Sequence, residues 1–177
     1  NLFAGQNQLF GPDRFLSFST VLADIRKIFP VHMIYFYATY LGIKRKHSSF
    51  HFSPAIEAQF YRQVKTTPHL AFYKGHRSPT SGKEKGVDVH LAVDMVRHAF
   101  SKQYDEAILM TGDADLIYPL EIVQKLGVPV HAVFFPNRFS LEIAFKASSA
   151  TVLNYGEYFK PAISKSLPEK LHIITIK

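Results

Sequence analysis

The chain has 177 residues, 47% of them hydrophobic, which is enough to bury the core of one domain. Lys and Arg outnumber Asp and Glu by 21 to 14 and give a formal charge of +7, which favours a polyanionic partner such as nucleic acid. Cysteine is absent, which excludes disulfides, thiolate zinc sites and cysteine nucleophiles. No apolar run reaches membrane-spanning length and no signal peptide is visible, so we expect a cytoplasmic protein without membrane association. The 16 Phe residues and the lack of Trp predict a Phe-rich core.

The first half of the chain is predicted to contain two helices and two strands separated by basic segments. Residues 74–86 are basic and rich in Gly, Pro and Ser, so they are either a flexible linker or a mobile loop that closes over an anionic substrate. In chain order, the predicted elements are a helix over 15–29, a strand over 31–41, a basic loop over 42–49, a helix over 54–64 capped by Ser53, and a strand over 70–73.

Helices and short apolar strands alternate through the second half. The predicted elements are a helix over 88–100, a strand over 107–110, a helix over 119–126, a strand over 128–135, a helix over 140–148, a strand over 151–153, a short helix from 156, and a strand or extension over 172–177. On the helix 88–100, an apolar stripe is formed by Val89, Ala92, Val93, Val96, Ala99 and Phe100. The alternation predicts a parallel, doubly wound α/β sheet.

Carboxylates follow one of these predicted strands directly. Asp113 and Asp115 come after the strand 107–110, and Gly112 between them and the strand is expected to let the backbone turn sharply. Ligand sites in open parallel sheets form at the carboxyl ends of the strands, and carboxylate oxygens suit Mg²⁺ or Mn²⁺. Asp88, at the start of a helix, is expected at the same rim. The alternatives are a solvated acidic loop for Asp113 and Asp115, and an N-cap for Asp88.

A cluster of acids in a basic protein is what metal-dependent cleavage of phosphodiesters needs, because the acids hold the metal while Lys and Arg hold the polyanion. The segments that carry these acids also resemble a known family. Residues 85–94 (KGVDVHLAVD), 107–120 (AILMTGDADLIYPL) and 126–130 (LGVPV) resemble the NYN family of PIN-like domains, in particular its LabA-like branch.

The resemblance implies a three-layer α/β/α PIN-like (Rossmann-like) domain with a mainly parallel central sheet, spanning residues 1–177. It implies a metal-dependent ribonuclease that uses Mg²⁺ or Mn²⁺ and acts on single-stranded or structured RNA. Residues 160–177 would be a C-terminal extension. The sequence leaves open whether the protein forms a homodimer.

Carried over position by position, the resemblance assigns catalytic and metal-binding roles to Asp88, Asp113 and Asp115. It assigns substrate contacts to Asn1, Lys85 and Thr111. Asn1 matches the Asn of an Asp-x-x-Asn motif that ends the family's first strand, so that Asp would lie upstream of residue 1. Ser148 stands where members often carry an Asp, which weakens the case for a fourth metal-site acid from that side.

Two other interpretations remain at the level of sequence. The domain could be a catalytically degenerate PIN-like module that binds RNA or a protein partner in regulation. A nucleotide-sugar transferase with a D-x-D motif and Mn²⁺ is the third, although no donor-binding half is visible. In either RNA-binding interpretation, the basic residues in 44–46 and 74–85 are expected to contact RNA, together with interleaved aromatic side chains.

Overall fold

A computed structural model describes residues 2–11, 14–39, 54–78, 84–160 and 166–176. The chain divides into two compact units, Asn1–Val87 and Asp88–Lys177. Both units combine helices with parallel strands, which confirms the predicted α/β class. None of the helices in the described ranges has the length and apolar character needed to cross a membrane.

The described residues of the first unit form three helices and four short strands. They are α1 (Leu2–Phe10), α2 (Phe18–Arg26), β1 (Ile34–Ala38), α3 (Pro54–Lys65), β2 (Leu70–Lys74), β3 (His76–Arg77) and β4 (Glu84–Lys85). Strands β1 and β2 pair in parallel, from Ile34 opposite Leu70. The predicted helices and strands of this half are confirmed with shorter or shifted ends. The predicted loop over 42–49 and the cap Ser53 lie outside the described residues.

The basic stretch 74–86 is more ordered than its composition indicates. Strands β3 and β4 form an antiparallel pair in which His76 lies opposite Lys85. The prediction of an unstructured linker or loop is therefore wrong for 76–77 and 84–85. Residues 79–83, between the two strands, lie outside the described residues.

Aromatic rings fill the core of the first unit, as the Phe content predicts. Phe60 is fully buried, and its ring centroid lies 5.3 Å from that of Phe3 and 6.4 Å from that of Phe18. Phe36 and Phe72 stack across β1 and β2 with centroids 5.7 Å apart. Aromatic pairs at these separations stabilise a core beyond the area that they bury.

The second unit is built on a four-stranded parallel sheet in the order β5-β6-β7-β8. Its elements are α4 (Val87–Phe100), which begins at the boundary between the units, β5 (Ala107–Leu109), α5 (Ile117–Lys125), β6 (Val130–Phe134), α6 (Leu141–Lys146), β7 (Ser149–Tyr155) and β8 (Leu171–Ile176). The helix predicted from residue 156 is wrong over 156–160, which form a turn and an irregular segment. The C-terminal segment is a strand, one of the two alternatives for it.

The buried face of helix α4 overlaps the predicted stripe only in part. Met95, His98 and Ala99 are buried, whereas Val89 and Phe100 of the stripe are 66% and 77% exposed. The Tyr104 hydroxyl donates a hydrogen bond to the carbonyl of Met95, which fixes the helix along the Met95 side. The helix has the predicted 3.6-residue period, but its buried face is rotated relative to the predicted stripe.

Candidate functional site

The acidic turn follows β5 and leads through a 3₁₀ turn, Ala114–Leu116, into α5. The hydroxyl of Thr111 accepts a hydrogen bond from the backbone N–H of Asp113 (3.2 Å), and the Asp113 carboxylate accepts one from the N–H of Asp115 (3.0 Å). Leu116 donates its N–H to the Asp113 carbonyl at 3.2 Å, and its side chain is 1% exposed. The turn is therefore fixed from both ends, while the side chains of Asp113 and Asp115 are exposed.

Gly112 is required in this turn by a close backbone approach. A Cβ atom built on Gly112 would lie 2.3 Å from the carbonyl oxygen of Arg138, in the loop after β6. Gly112 is not among the described glycines with positive φ, so the sharp turn expected from sequence is not the reason for glycine here. The loops after β5 and β6 instead touch main chain to main chain at this point.

The chemistry of these side chains fits a hard divalent cation. One oxygen of Asp113 is engaged with the Asp115 N–H, which leaves its other oxygen available, and within the described part of the chain Asp115 has no hydrogen bond or ion pair from its carboxylate. Mg²⁺ keeps several waters and is commonly held by only one or two carboxylates. Asp113 and Asp115 are the residues that would hold it.

Asp88 lies in the first turn of α4 and is exposed. Because the helix begins at Val87, Asp88 lies inside it rather than at the N-cap, and its charge there is favourable towards the helix dipole. Across the described ranges, no group of three or more His, Asp or Glu side chains is placed to hold a metal ion. The structure thus joins Asp113 to Asp115 in one turn and does not add Asp88 to them as a third ligand.

The three predicted substrate contacts are placed differently. Thr111 belongs to the acidic turn and shapes it through its hydroxyl. Lys85 lies on β4 of the first unit, opposite His76, and is exposed. Asn1 lies outside the described residues. Asp94 forms an ion pair with Arg97 at 2.9 Å.

Ser148 lies at the amino-terminal ends of the strands, whereas the acidic turn lies at their carboxyl ends. Its hydroxyl donates to the Gln124 side chain (2.8 Å) and accepts from the backbone N–H of Val130 (3.2 Å), the first residue of β6. Strand β6 rises about 3.3 Å per residue over its five residues, so Ser148 lies roughly 13 Å from the carboxyl edge. An acid at this position could not have joined Asp113 and Asp115, so the Ser at 148 takes no ligand away from the acidic turn.

Arg138 is the residue that sequence reasoning missed. It ends the 3₁₀ turn Pro136–Arg138, which follows β6 as the acidic turn follows β5. Parallel strands direct the loops that follow them to the same end of the sheet, and this signal places Arg138 at the same end as the acids.

The model of the NYN domain matches residues 1–154 of the chain. This chain belongs to the NYN family. The NYN family is a family of PIN-like nucleases whose members generally depend on divalent metals.

A curated relative of this NYN protein is the uncharacterized protein y4oD of Sinorhizobium fredii (strain NBRC 101917 / NGR234). It is 30% identical over 87 residues, which cover 49% of this chain and 39% of the relative. The chain thus aligns with about two-fifths of that protein. No solved structure matches the chain.

Proposed function

We propose that this NYN protein is a cytoplasmic, metal-dependent ribonuclease of the LabA-like branch, with Asp113 and Asp115 at the centre of its site. The observation that carries the proposal is the acidic turn itself, which presents two exposed carboxylates at the carboxyl edge of a parallel sheet. The family match supplies the nuclease class, and the formal charge of +7 favours a polyanionic substrate. Single-stranded or structured RNA is the proposed substrate.

In this proposal the turn orients the two carboxylates towards a bound Mg²⁺ or Mn²⁺. When bound, such an ion lowers the pKa of a coordinated water and stabilises negative charge on a phosphate. Thr111 holds the main chain at Asp113, and the hydrogen bond to the Asp115 N–H fixes the Asp113 carboxylate. Lys85 and Asn1 are assigned contacts to RNA, and Asp88 is assigned a third metal contact on the family resemblance alone, since the structure does not group it with Asp113 and Asp115.

Cleavage of a mixed RNA pool tests the proposal. The unsubstituted protein is incubated with Mn²⁺, with EDTA, and with Mn²⁺ after Asp113→Asn, which keeps the side-chain shape and the acceptor oxygen but removes the charge. We expect cleavage only in the first reaction. Glu142→Gln, at an exposed acid in the first turn of α6, is the matched control and should cleave like the unsubstituted protein. Equal cleavage in all reactions would reject the acidic site.

A second candidate is a degenerate PIN-like module that binds RNA or a protein partner without cleaving. The absence of a three-residue metal group among the described residues favours it. Calorimetric titration with Mn²⁺ separates the two candidates. The ribonuclease should take up Mn²⁺ and lose that uptake with Asp113→Asn, whereas the module should show no heat that depends on Asp113.

A further inference from the structure

Arg138 lies against the acidic turn through its main chain. Its carbonyl oxygen occupies the space beside Gly112, at 2.3 Å from where a Cβ would be. Both residues belong to loops that leave parallel, adjacent strands, β5 and β6, at the carboxyl edge. The main chain of Arg138 is therefore held beside the acidic turn by backbone contact, independently of any attraction between side chains.

The guanidinium of Arg138 is not engaged by the described protein groups around it. Its Nε atom is buried without a hydrogen-bond partner. Within the described ranges, its side chain donates no hydrogen bond and forms no ion pair, and the one hydrogen bond from Arg138 is its backbone N–H to the Phe135 carbonyl. No acceptor of the described chain engages this partly exposed guanidinium, although it belongs to a loop at the carboxyl ends of the strands, where ligands bind; this indicates an acceptor that comes from outside the chain.

The charge of the neighbouring turn indicates what that acceptor is. Asp113 and Asp115 repel a nucleic-acid backbone, so a phosphate can approach only where a cation offsets them. Arg presents a rigid fork of donors that matches phosphate oxygens, and such charge-assisted bonds are the strong ones. A phosphate also supplies the several acceptor oxygens that the terminal N–H groups of a guanidinium can engage.

We propose that Arg138 is a phosphate-binding residue of this site and contacts an RNA backbone phosphate beside the Asp113–Asp115 turn. The inference rests on the proposed ribonuclease function for its substrate. It adds a specific contact that the acids cannot provide, and it assigns to the loop after β6 the task of holding the RNA strand at the acidic edge.

The test is the salt dependence of RNA binding. Binding of a short single-stranded RNA is measured in EDTA at several salt concentrations for the unsubstituted 177-residue chain, Arg138→Gln, Arg138→Lys and Lys125→Gln. Lys125 is the matched control, because it is an exposed cation at the other end of α5, next to the Gln124 that contacts Ser148 at the amino edge. Removing either side chain changes the net charge equally.

We expect Arg138→Gln to weaken binding roughly tenfold or more at low salt. The slope of log affinity against log salt should become shallower by about 0.7, the loss of one single-strand phosphate contact. Lys125→Gln should leave the affinity and the slope nearly unchanged. The Arg138→Lys variant should keep the slope, because it keeps the charge, but should bind RNA less tightly than the unsubstituted protein. A residue with only a structural role would not change the slope.

Equal affinity and slope for Arg138→Gln and Lys125→Gln would overturn the inference, as would a failure of the unsubstituted chain to bind RNA at low salt. If Arg138→Gln does not fold, Arg138→Lys decides, and unchanged affinity in that variant overturns the inference. Because binding is measured without divalent metal, an absence of cleavage rejects the nuclease proposal and leaves the Arg138 result standing. Cleavage with an unaltered Arg138→Gln slope rejects only the Arg138 contact.

Discussion

Substituting Gly112 by Ala should disrupt the contact that joins the loops after β5 and β6. The new Cβ would lie 2.3 Å from the Arg138 carbonyl oxygen, and the two loops must separate by about 0.7 Å to reach even 3.0 Å. The oxygen belongs to the main chain and a Cβ is fixed rigidly to its own main chain, so no flexible side chain can move aside. The φ of Gly112 is not positive, so Ala would otherwise stabilise the chain by about 0.4–1 kcal/mol through the unfolded state. Overpacking of this kind costs about 1–3 kcal/mol, and the clash should therefore decide the sign.

Urea denaturation measures the predicted loss of unfolding free energy, and cleavage of RNA with Mn²⁺ measures its effect on the site. A misplacement near 1 Å lowers a catalytic rate by as much as about 10²-fold, so we expect cleavage by Gly112→Ala to fall by roughly one to two orders of magnitude. Gly127→Ala is the matched control. Gly127 has φ +85° with nothing within 4 Å of a Cβ, so Ala there is strained by about 1–2 kcal/mol without touching the acidic turn.

Gly127→Ala should therefore lose stability and keep its cleavage rate per folded molecule. The reasoning about Gly112 is refuted if Gly112→Ala is as stable as the unsubstituted protein or more so. It is also refuted if the two alanine variants lose stability and activity in the same proportion, because the loss would then be one of folding alone.

Three further substitutions test other parts of the fold. Lys146 lies 2.6 Å from Glu121 and, by its hydrogen bond and charge, holds the pKa of Glu121 below its ordinary value. The stabilisation from this pair should be complete at a pH above that ordinary value and should be lost as the pH falls through the lowered pKa. Lys146→Gln should remove this pH dependence from denaturation curves recorded across acidic pH. Ser140→Ala removes the buried hydroxyl that accepts from the Ile143 N–H and should lower the free energy of unfolding by about 1 kcal/mol in urea, with an unchanged midpoint arguing against the cap. Phe60→Ala removes a fully buried ring and should cost about 3–5 kcal/mol by the same measurement, and a loss below about 1 kcal/mol would contradict the aromatic core.

The parallel sheet was predictable because its determinants are local and repetitive. Each strand of the second unit is a short apolar run, and β5 and β6 are each followed by a helix with a start or stop signal, such as Ser140 before α6 and Gly127 after α5. Helical connections between strands favour parallel pairing, and parallel pairing places the loops after β5 and β6 at one edge. The position of Asp113 and Asp115 at that edge follows from the same steps.

Other features could not be predicted because they depend on contacts that leave no periodic trace. Strands β3 and β4 have two residues each, too few for any alternation, and their pairing is made by main-chain groups. On α4, two overlapping apolar stripes compete, and burial of His98 rather than Val93 was decided by the packing of the helix. The approach of Arg138 to Gly112 depends on the lengths of two loops, which sequence alone did not relate to each other.

The last strand has a consequence for any attempt to isolate this domain. The family match ends at residue 154, yet β7 continues through Tyr155 and pairs along six residues with β8, from Ala150 opposite Leu171 to Tyr155 opposite Ile176. In β7 the residues from Ala150 onward are buried. A fragment cut where the match ends would expose the main-chain donors and acceptors of this apolar strand, and such an open edge recruits other chains and aggregates. Insoluble protein from that fragment would report a missing neighbour strand, and would say nothing about whether the acidic turn is competent.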